Sequence, residues 1–359
     1  MKNAALAIKA GAAIFWRDLK GRVYMYYIGI DVGGTSFAAG LVDENYQIIY
    51  RKSVPTDRSV NAEQMVEMLA ALADDVMSGA GVRKEEIKSI GLGVPGTANL
   101  KTGQIEYANN LPFCQGDLRK GLKEKTGIEV YFDNDANAAA WGEYLMCENK
   151  PDSFVMVTLG TGIGCGIVLN GKLFRGVNYA AGEIGHMTVK LNGRPCPCGR
   201  RGCLELYASA QALVEQAKKK MRKKEESILW KLCENNIEEM DGRKFFEAVR
   251  LEDACALKVL KWFTKYLGEG MIDLINTLQP EVICIGGGIS KAADLFLPQV
   301  EKRVAEKVYS KDSAQNTQLV AAKLGNDAGI IGAAMLHLCD EENKKMIVRN
   351  KIQFFHNFK

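Results

Sequence analysis

Tyr26-Tyr27-Ile28-Gly29-Ile30-Asp31 is an apolar run closed by a carboxylate; Val32-Gly33-Gly34-Thr35 follows it, then Phe37-Ala38-Ala39-Gly40-Leu41-Val42. Apolar runs on either side of a glycine pair predict a buried strand, a tight turn and a returning strand. The same order recurs as Phe154-Val155-Met156-Val157-Thr158, Leu159-Gly160-Thr161-Gly162 and Gly164-Cys165-Gly166-Ile167-Val168-Leu169. At one constant offset Asp31 falls on Thr158, Gly33 on Gly160 and Asp43 on Asn170. Few residues are identical, so what repeats is a plan. The chain reads as two halves built alike.

Strand and helix patterns alternate around these hairpins. Ala62 to Ser78 carries apolar residues at helical spacing, and Ile90-Gly91-Leu92-Gly93-Val94-Pro95-Gly96 predicts a strand ending in a loop. Residues 121–126 predict the end of a helix. Val130-Tyr131-Phe132 predicts a strand running into Asp133-Asn134-Asp135, and 136–147 a helix with Asn134 or Asp135 near its N-cap. A Cys/Gly/Pro-rich loop occupies 192–204, followed by a charged helical region over about 208–265. Glu281 to Ile285 predicts a strand into Gly286-Gly287-Gly288, and Asp327 to Leu338 a closing helix. This alternation makes the fold α/β.

A chain of 359 residues suits two domains better than one. Its 47% hydrophobic and 25% charged residues are the balance of a soluble globular protein, and no apolar run nears the ~18 residues of a membrane helix. A net charge of +4 gives no general attraction to nucleic acid, and the basic run 218–224 reads as a solvated helix face. Of ten cysteines three cluster, at 196, 198 and 203, while the others lie scattered, as in Val282-Ile283-Cys284-Ile285. That pattern predicts a reducing cytoplasm with one metal site rather than a disulfide framework. Lys9 and Trp16-Arg17-Asp18 argue against a secretory leader.

The glycine turns have a chemical use, because they bring backbone N–H groups close to a phosphate, and Thr35 adds a hydroxyl. Asp31 could hold Mg²⁺ through water. No Gly-Lys-Ser/Thr follows, and a strand rather than a helix comes next, so neither a Walker A loop nor a dinucleotide fingerprint is present. Alone, one such turn is usually a plain hairpin. Gly160-Thr161-Gly162 and Gly286-Gly287-Gly288 make three glycine loops after strands, enough to surround a polyphosphate. Asp133-Asn134-Asp135-Ala136-Asn137 offers a carboxylate that could take a hydroxyl proton as the oxygen attacks phosphorus. The same residue types also make good helix caps.

His186, Cys196, Cys198 and Cys203 form His-x9-Cys-x-Cys-x4-Cys, with Gly199 and Gly202 permitting a tight loop. Three thiolates and an imidazole fill a tetrahedral Zn²⁺ site, so one structural zinc is expected. Gly182-Glu183-Ile184-Gly185 leads into that loop and Glu205 leaves it. Such a loop would hold both carboxylates for a polyhydroxy ligand.

The segments 31–35, 134–137, 160–164, 182–186 and 196–205, in this order, resemble the ROK family of repressors, open reading frames and kinases, over roughly 26–338. The resemblance is to its glucose-phosphorylating members in particular. It implies an actin-like ATPase (ribonuclease H-like) duplicated fold, two lobes with a cleft between them, MgATP on one side and a hexose on the other. By resemblance Asp135 is the catalytic base; Gly96, Asn110, Asn134, Asp135, Glu183, His186 and Glu205 contact sugar. Asp31, Gly33, Gly34, Thr35, Gly160, Thr161, Gly162, Gly286, Gly287 and Gly288 face the nucleotide. His186 is expected to serve zinc with one ring nitrogen and sugar with the other. Where the family often has Lys after Gly-Gly-Thr this chain has Ser36, so no phosphate role is assigned there.

The expected lobes are 25–140 with about 326–345, and 141–325 with the zinc loop 186–205. Residues 1–24 form an extension outside the family pattern and 346–359 a basic tail. A winged helix-turn-helix needs on the order of 60–80 residues, and the first strand begins at Tyr26. The expectation is therefore a kinase and not a repressor. Glucose is the first acceptor, with N-acetylmannosamine, N-acetylglucosamine, fructose and allose as alternatives. The family also implies a homodimer or homotetramer. Because the zinc loop and the glycine turns are separate segments, loss of zinc is expected to weaken sugar binding more than nucleotide binding.

Overall fold

The computed structural model describes residues 25–57, 59–107 and 116–339. The first half contains β1 (Tyr26–Val32), β2 (Ser36–Val42), β3 (Ile48–Pro55), α1 (Ala62–Ala80), β4 (Ile87–Val94), the small hairpin β5 (Thr97–Asn99) and β6 (Gln104–Tyr107), α2 (Leu118–Thr126), β7 (Glu129–Asn134) and α3 (Asp135–Leu145). The second contains β8 (Ser153–Leu159), β9 (Ile163–Leu169), β10 (Lys172–Leu173), α4 (Glu205–Ala208), α5 (Ala210–Met221), α6 (Ile228–Leu232), α7 (Gly242–Arg250), α8 (Ala254–Leu278), β11 (Val282–Gly286), α9 (Ala293–Lys307), β12 (Gln318–Ala321) and α10 (Asp327–Ala334).

Two five-stranded sheets share one topology. The orders are β3-β2-β1-β4-β7 and β10-β9-β8-β11-β12, with an antiparallel meander on one side and parallel strands on the other in each. The repeat seen in the sequence is therefore real at the level of strands. The inner strands are apolar along most of their length because both faces are covered. Local signals fix the helix ends: Asn61 and Gln64 form a capping box on α1, and Gly81 closes it in the left-handed conformation at φ +67°.

The middle of the molecule is a stack of sheet, α10, α3 and sheet. Gly40, Gly29 and Gly91 lie in register across β2, β1 and β4. A Cβ on Gly29 or Gly91 would overlap the carbonyl oxygen of Ile330 or Ala333, so α10 rests directly on this glycine row. A Cβ on Gly332 would overlap the Ala138 carbonyl between the two helices, and one on Gly166 would overlap Ala140 of α3. Small side chains thus let two sheets and two helices approach at backbone distance. Where the apolar pattern predicts an unbroken helix to Leu338, the helix is interrupted by a turn at Met335 and resumes over 336–339; the Met335 carbonyl accepts the indole N–H of the buried Trp141 at 3.0 Å. Among the described residues no helix is long and apolar enough to cross a membrane.

Candidate functional site

Asp31 lies near the end of β1 beside Gly93 of β4, which pairs with Asp133 of β7. Gly93 supplies no side chain: a Cβ there would stand 3.2 Å from the Ala138 Cβ and 3.5 Å from the Asp135 Cα. The first turn of α3 therefore settles over the strand ends. Asn134 caps that helix through Oδ1, accepting the N–H groups of Ala136 at 2.9 Å and Asn137 at 3.1 Å, while Nδ2 donates to the Gly96 carbonyl at 2.9 Å. Gly96, at φ +83°, brings its carbonyl to that point. The Asn134 side chain also hydrogen-bonds the Asp135 carboxylate, which ties the cap to the neighbouring acid.

Asp135 Oδ1 accepts the N–H of Ala136 at 2.8 Å, which fixes one side of the carboxylate. Burial, then the nearby charge of Asp31 and more weakly that of Glu183, push the Asp135 carboxyl up to about 7; the Ala136 N–H opposes them. Burial raises Asp31 to about 6. Glu183 is held above the ordinary glutamate range by partial burial, with His186 opposing and Glu205 adding to the rise. These couplings bring Asp31, Asp135, Glu183, His186 and Glu205 into one electrostatic neighbourhood. A half-buried carboxylate at the strand ends, with like charges acting on it, is a pattern common at functional sites.

On the second lobe Thr158 pairs with Gly286, so the loops 160–162 and 286–288 leave the sheet side by side. Gly287, at φ +87°, lies flat on Leu159, where a Cβ would stand 2.5 Å from the backbone nitrogen and oxygen. Beside them opens a cavity of about 810 Å³, with Gly160, Thr161 and Gly288 on one side and Met240, Phe246 and Ile289 among the apolar wall. That size and lining suit a nucleoside. On the first lobe, Gly33 N–H closes its turn on the Ser36 carbonyl at 3.0 Å, and Thr56 pins the turn through the Gly33 carbonyl at 2.7 Å, leaving Thr35 exposed at the tip.

The candidate metal ligands also converge. His186 Nδ1 lies 3.7 Å from Cys196 Sγ, Cys198 Sγ lies 3.7 Å from Cys203 Sγ, and all four donor atoms lie within 4.8 Å of one another. Tetrahedral Zn²⁺ with Zn–S bonds of about 2.3 Å requires sulfur atoms roughly 3.8 Å apart. Gly199 at φ +88° and Gly202 at φ +74° turn the loop, and a Cβ on Gly202 would overlap the Lys190 carbonyl. Asn110 falls outside the described residues.

Several residues of the site were not anticipated from the sequence. The cavity wall at Met240 and Phe246 comes from the helical region, where apolar residues at helical spacing carry no ligand signal, and Ile289 follows the third glycine loop. Lys291 lines both that cavity and an adjoining cleft of about 330 Å³ with Arg51 and Lys323. Arg175 reaches Asp133 from the loop after β10.

Two copies of one strand plan, stacked through α3 and α10 with glycine loops at the strand ends, define the actin-like ATPase class. The ROK family profile matches residues 27–339, and the chain belongs to the ROK family. It is 37% identical over 315 residues to the glucokinase of Halalkalibacterium halodurans, across 87% of this chain and 94% of that one. It is 30% identical over 316 residues to the xylose repressor of Bacillus subtilis, across 87% of this chain and 76% of the repressor. The ROK family glucokinase from Streptomyces griseus, solved in complex with glucose and AMPPNP, superposes with a TM-score of 0.78 at 33% identity, covering 87% of this chain and 98% of that one.

Proposed function

We propose that this chain is an ATP-dependent hexokinase that transfers the γ-phosphoryl group of MgATP to the primary hydroxyl of glucose, giving glucose 6-phosphate. The observation that carries the reading is Asp135. One of its carboxylate oxygens is held by Ala136, its proton affinity is raised to about 7, and the charges of Asp31 and Glu183 both act on it. A group poised near neutral pH suits proton removal from a sugar hydroxyl. The glucokinase relatives and the glucose-bound structural neighbour support glucose as the acceptor.

The chemistry divides between the lobes. Glu183, Glu205, His186, Asn134 and the Gly96 carbonyl present acceptors and donors to sugar hydroxyls, which positions one of them at the Asp135 carboxylate. The glycine-loop amides, Thr35 and Thr161 orient the phosphates, and Asp31 faces the Mg²⁺ that arrives with ATP. As the sugar oxygen attacks the γ-phosphorus in line, its proton passes to Asp135 and ADP leaves. The His186–Cys196–Cys198–Cys203 donors fit one Zn²⁺, which when bound holds the loop between Glu183 and Glu205 closed with no open coordination position. The nine free cysteines among the described residues support a reducing, cytoplasmic setting.

A sugar sensor of the repressor kind needs neither a nucleoside-sized cavity nor a proton acceptor, so the site favours turnover. A coupled assay of ADP release tests this across glucose, fructose, allose, N-acetylglucosamine and N-acetylmannosamine, with the phosphorylated carbon identified by NMR. Glucose is expected to give the highest kcat/KM. A higher value for another sugar overturns the choice of acceptor, and no sugar-dependent ADP release overturns the kinase reading.

A further inference from the structure

Arg175 follows β10 on the second lobe, yet its side chain is anchored in the first. Its Nε donates to Asp133 Oδ2 at 2.6 Å, and the pair is enclosed, with side-chain exposures of 15% and 3%. The other Asp133 oxygen accepts the Asn134 N–H at 2.8 Å and the Asn137 Nδ2 at 2.9 Å. Asp133 therefore holds the turn that presents Asn134 and Asp135. The Arg175 carbonyl in turn accepts the Ala181 N–H at 3.1 Å, closing the loop that runs into Gly182-Glu183. Gly176, at φ +74°, packs into the same closure against Ala181. One residue thus grips both halves of the cleft, with its side chain on the Asp135 turn and its main chain on the Glu183 loop.

Enclosed ion pairs add little stability, because desolvation offsets attraction; what they can do is select one arrangement of the groups they join. We propose that Arg175 and Asp133 are positioning residues that hold the Asp135 turn of one lobe in register with the Glu183 loop of the other. Sugar held by the Glu183 loop then meets the base at the right place. This rests on the kinase reading above. It predicts a defect specific to sugar and to turnover, since the nucleotide cavity is built from other segments.

Removing only one partner strands a buried charge, so Arg175→Met alone is expected to lower Tm. The informative variant is Asp133→Asn with Arg175→Met. The asparagine oxygen still accepts from Asn134 and Asn137 and no lone charge is left; the tie between lobes is cut, together with the hydrogen bond that Arg175 makes with Cys339. The double variant is expected to melt within a few degrees of the parent. Its kcat should fall at least tenfold and its glucose Kd rise at least fivefold by calorimetry, with the MgADP Kd within twofold. Arg175→Lys, which keeps a cation at the end of a shorter reach, is expected to retain an intermediate kcat. A double variant with parental kcat and glucose Kd overturns the proposal, as does one whose MgADP affinity falls in proportion. A parent with no sugar-dependent ADP release removes the kinase reading and this role together, which separates that failure from a working parent indifferent to the double substitution.

Discussion

The Glu205 carboxylate accepts the backbone N–H of Ile163 through Oε2 at 2.9 Å. That bond places the exit of the cysteine loop against the turn that carries Gly160-Thr161-Gly162. A Cβ on Gly162 would overlap the same oxygen, and Gln211 at the head of α5 donates its N–H to the Gly160 carbonyl at 3.3 Å. Segments that look independent in the sequence are one connected piece. Zinc loss, expected to weaken sugar binding more than nucleotide binding, thus has a route to the nucleotide as well.

Purified protein is expected to carry about one Zn²⁺ per chain, bound by three thiolates and one imidazole. Cys198→Ser should lower metal content and raise the glucose Kd severalfold, and through Glu205 it should also raise the MgADP Kd at least threefold. Metal analysis with separate titrations of the two ligands checks this. A metal-free variant that binds glucose like the parent would disconnect the loop from the sugar; one that loses only glucose affinity would show that Glu205 transmits nothing.

Asp135→Asn is expected to bind glucose near parental affinity while kcat drops 10²–10⁴-fold, because the amide keeps shape and hydrogen bonding but takes no proton. The same substitution should stabilise the unliganded protein. The fold raises this carboxyl to about 7 from an ordinary value of 3.8. Its cost is absent below pH 4, grows as pH rises toward 7 and is constant above. At pH 8 the variant should gain on the order of 1–3 kcal/mol, allowing for solvent access. Denaturant melts at pH 5 and pH 8 measure it; an equal effect at both would detach stability from that proton.

Activity should follow the same group. With Asp135 needed in its unprotonated form, kcat/KM for glucose is expected to fall about tenfold per unit on the acid side of a limb near pH 7. Asp31 is the charge that most raises Asp135, so Asp31→Asn should move that limb to lower pH even as it weakens MgATP. Rate profiles of both proteins at saturating MgATP are the test, and an unmoved limb would assign it to another residue.

Lys291 lines both the cavity proposed for the nucleoside and its neighbouring cleft. Lys291→Ala is expected to raise the KM for ATP three- to tenfold and leave the KM for glucose within twofold. Equal changes in both constants would point to a general disturbance of the loop after Gly288.

The sequence revealed what depends on chain-local chemistry. Strand periodicity exposed both hairpins, Gly-Gly and Gly-Thr-Gly marked the turns, and the Cys-x-Cys-x4-Cys spacing located the metal loop. Asn134 turned out to be a helix cap, the reading that the chain-local pattern already offered. Contacts made across the cleft were illegible. Nothing near Arg175 in the chain names Asp133, and nothing near Glu205 names Ile163; each pair is 42 residues apart. Phe246 and Ile289 look like any other buried residues, because a cavity wall and a core wall have the same composition.

The glycine row at Gly40, Gly29 and Gly91, with Gly332 and Gly166 beyond it, has a mechanical meaning. Interlocked side chains resist sliding, since knobs must leave their holes before the layers can move. Here two kinds of contact alternate: backbone rests on backbone at the glycines, while Trp141, Tyr144 and Ile330 beside them interlock. The bare row sets how close the layers come, and the side chains set where. A single added methyl at Gly332 would push both apart at once.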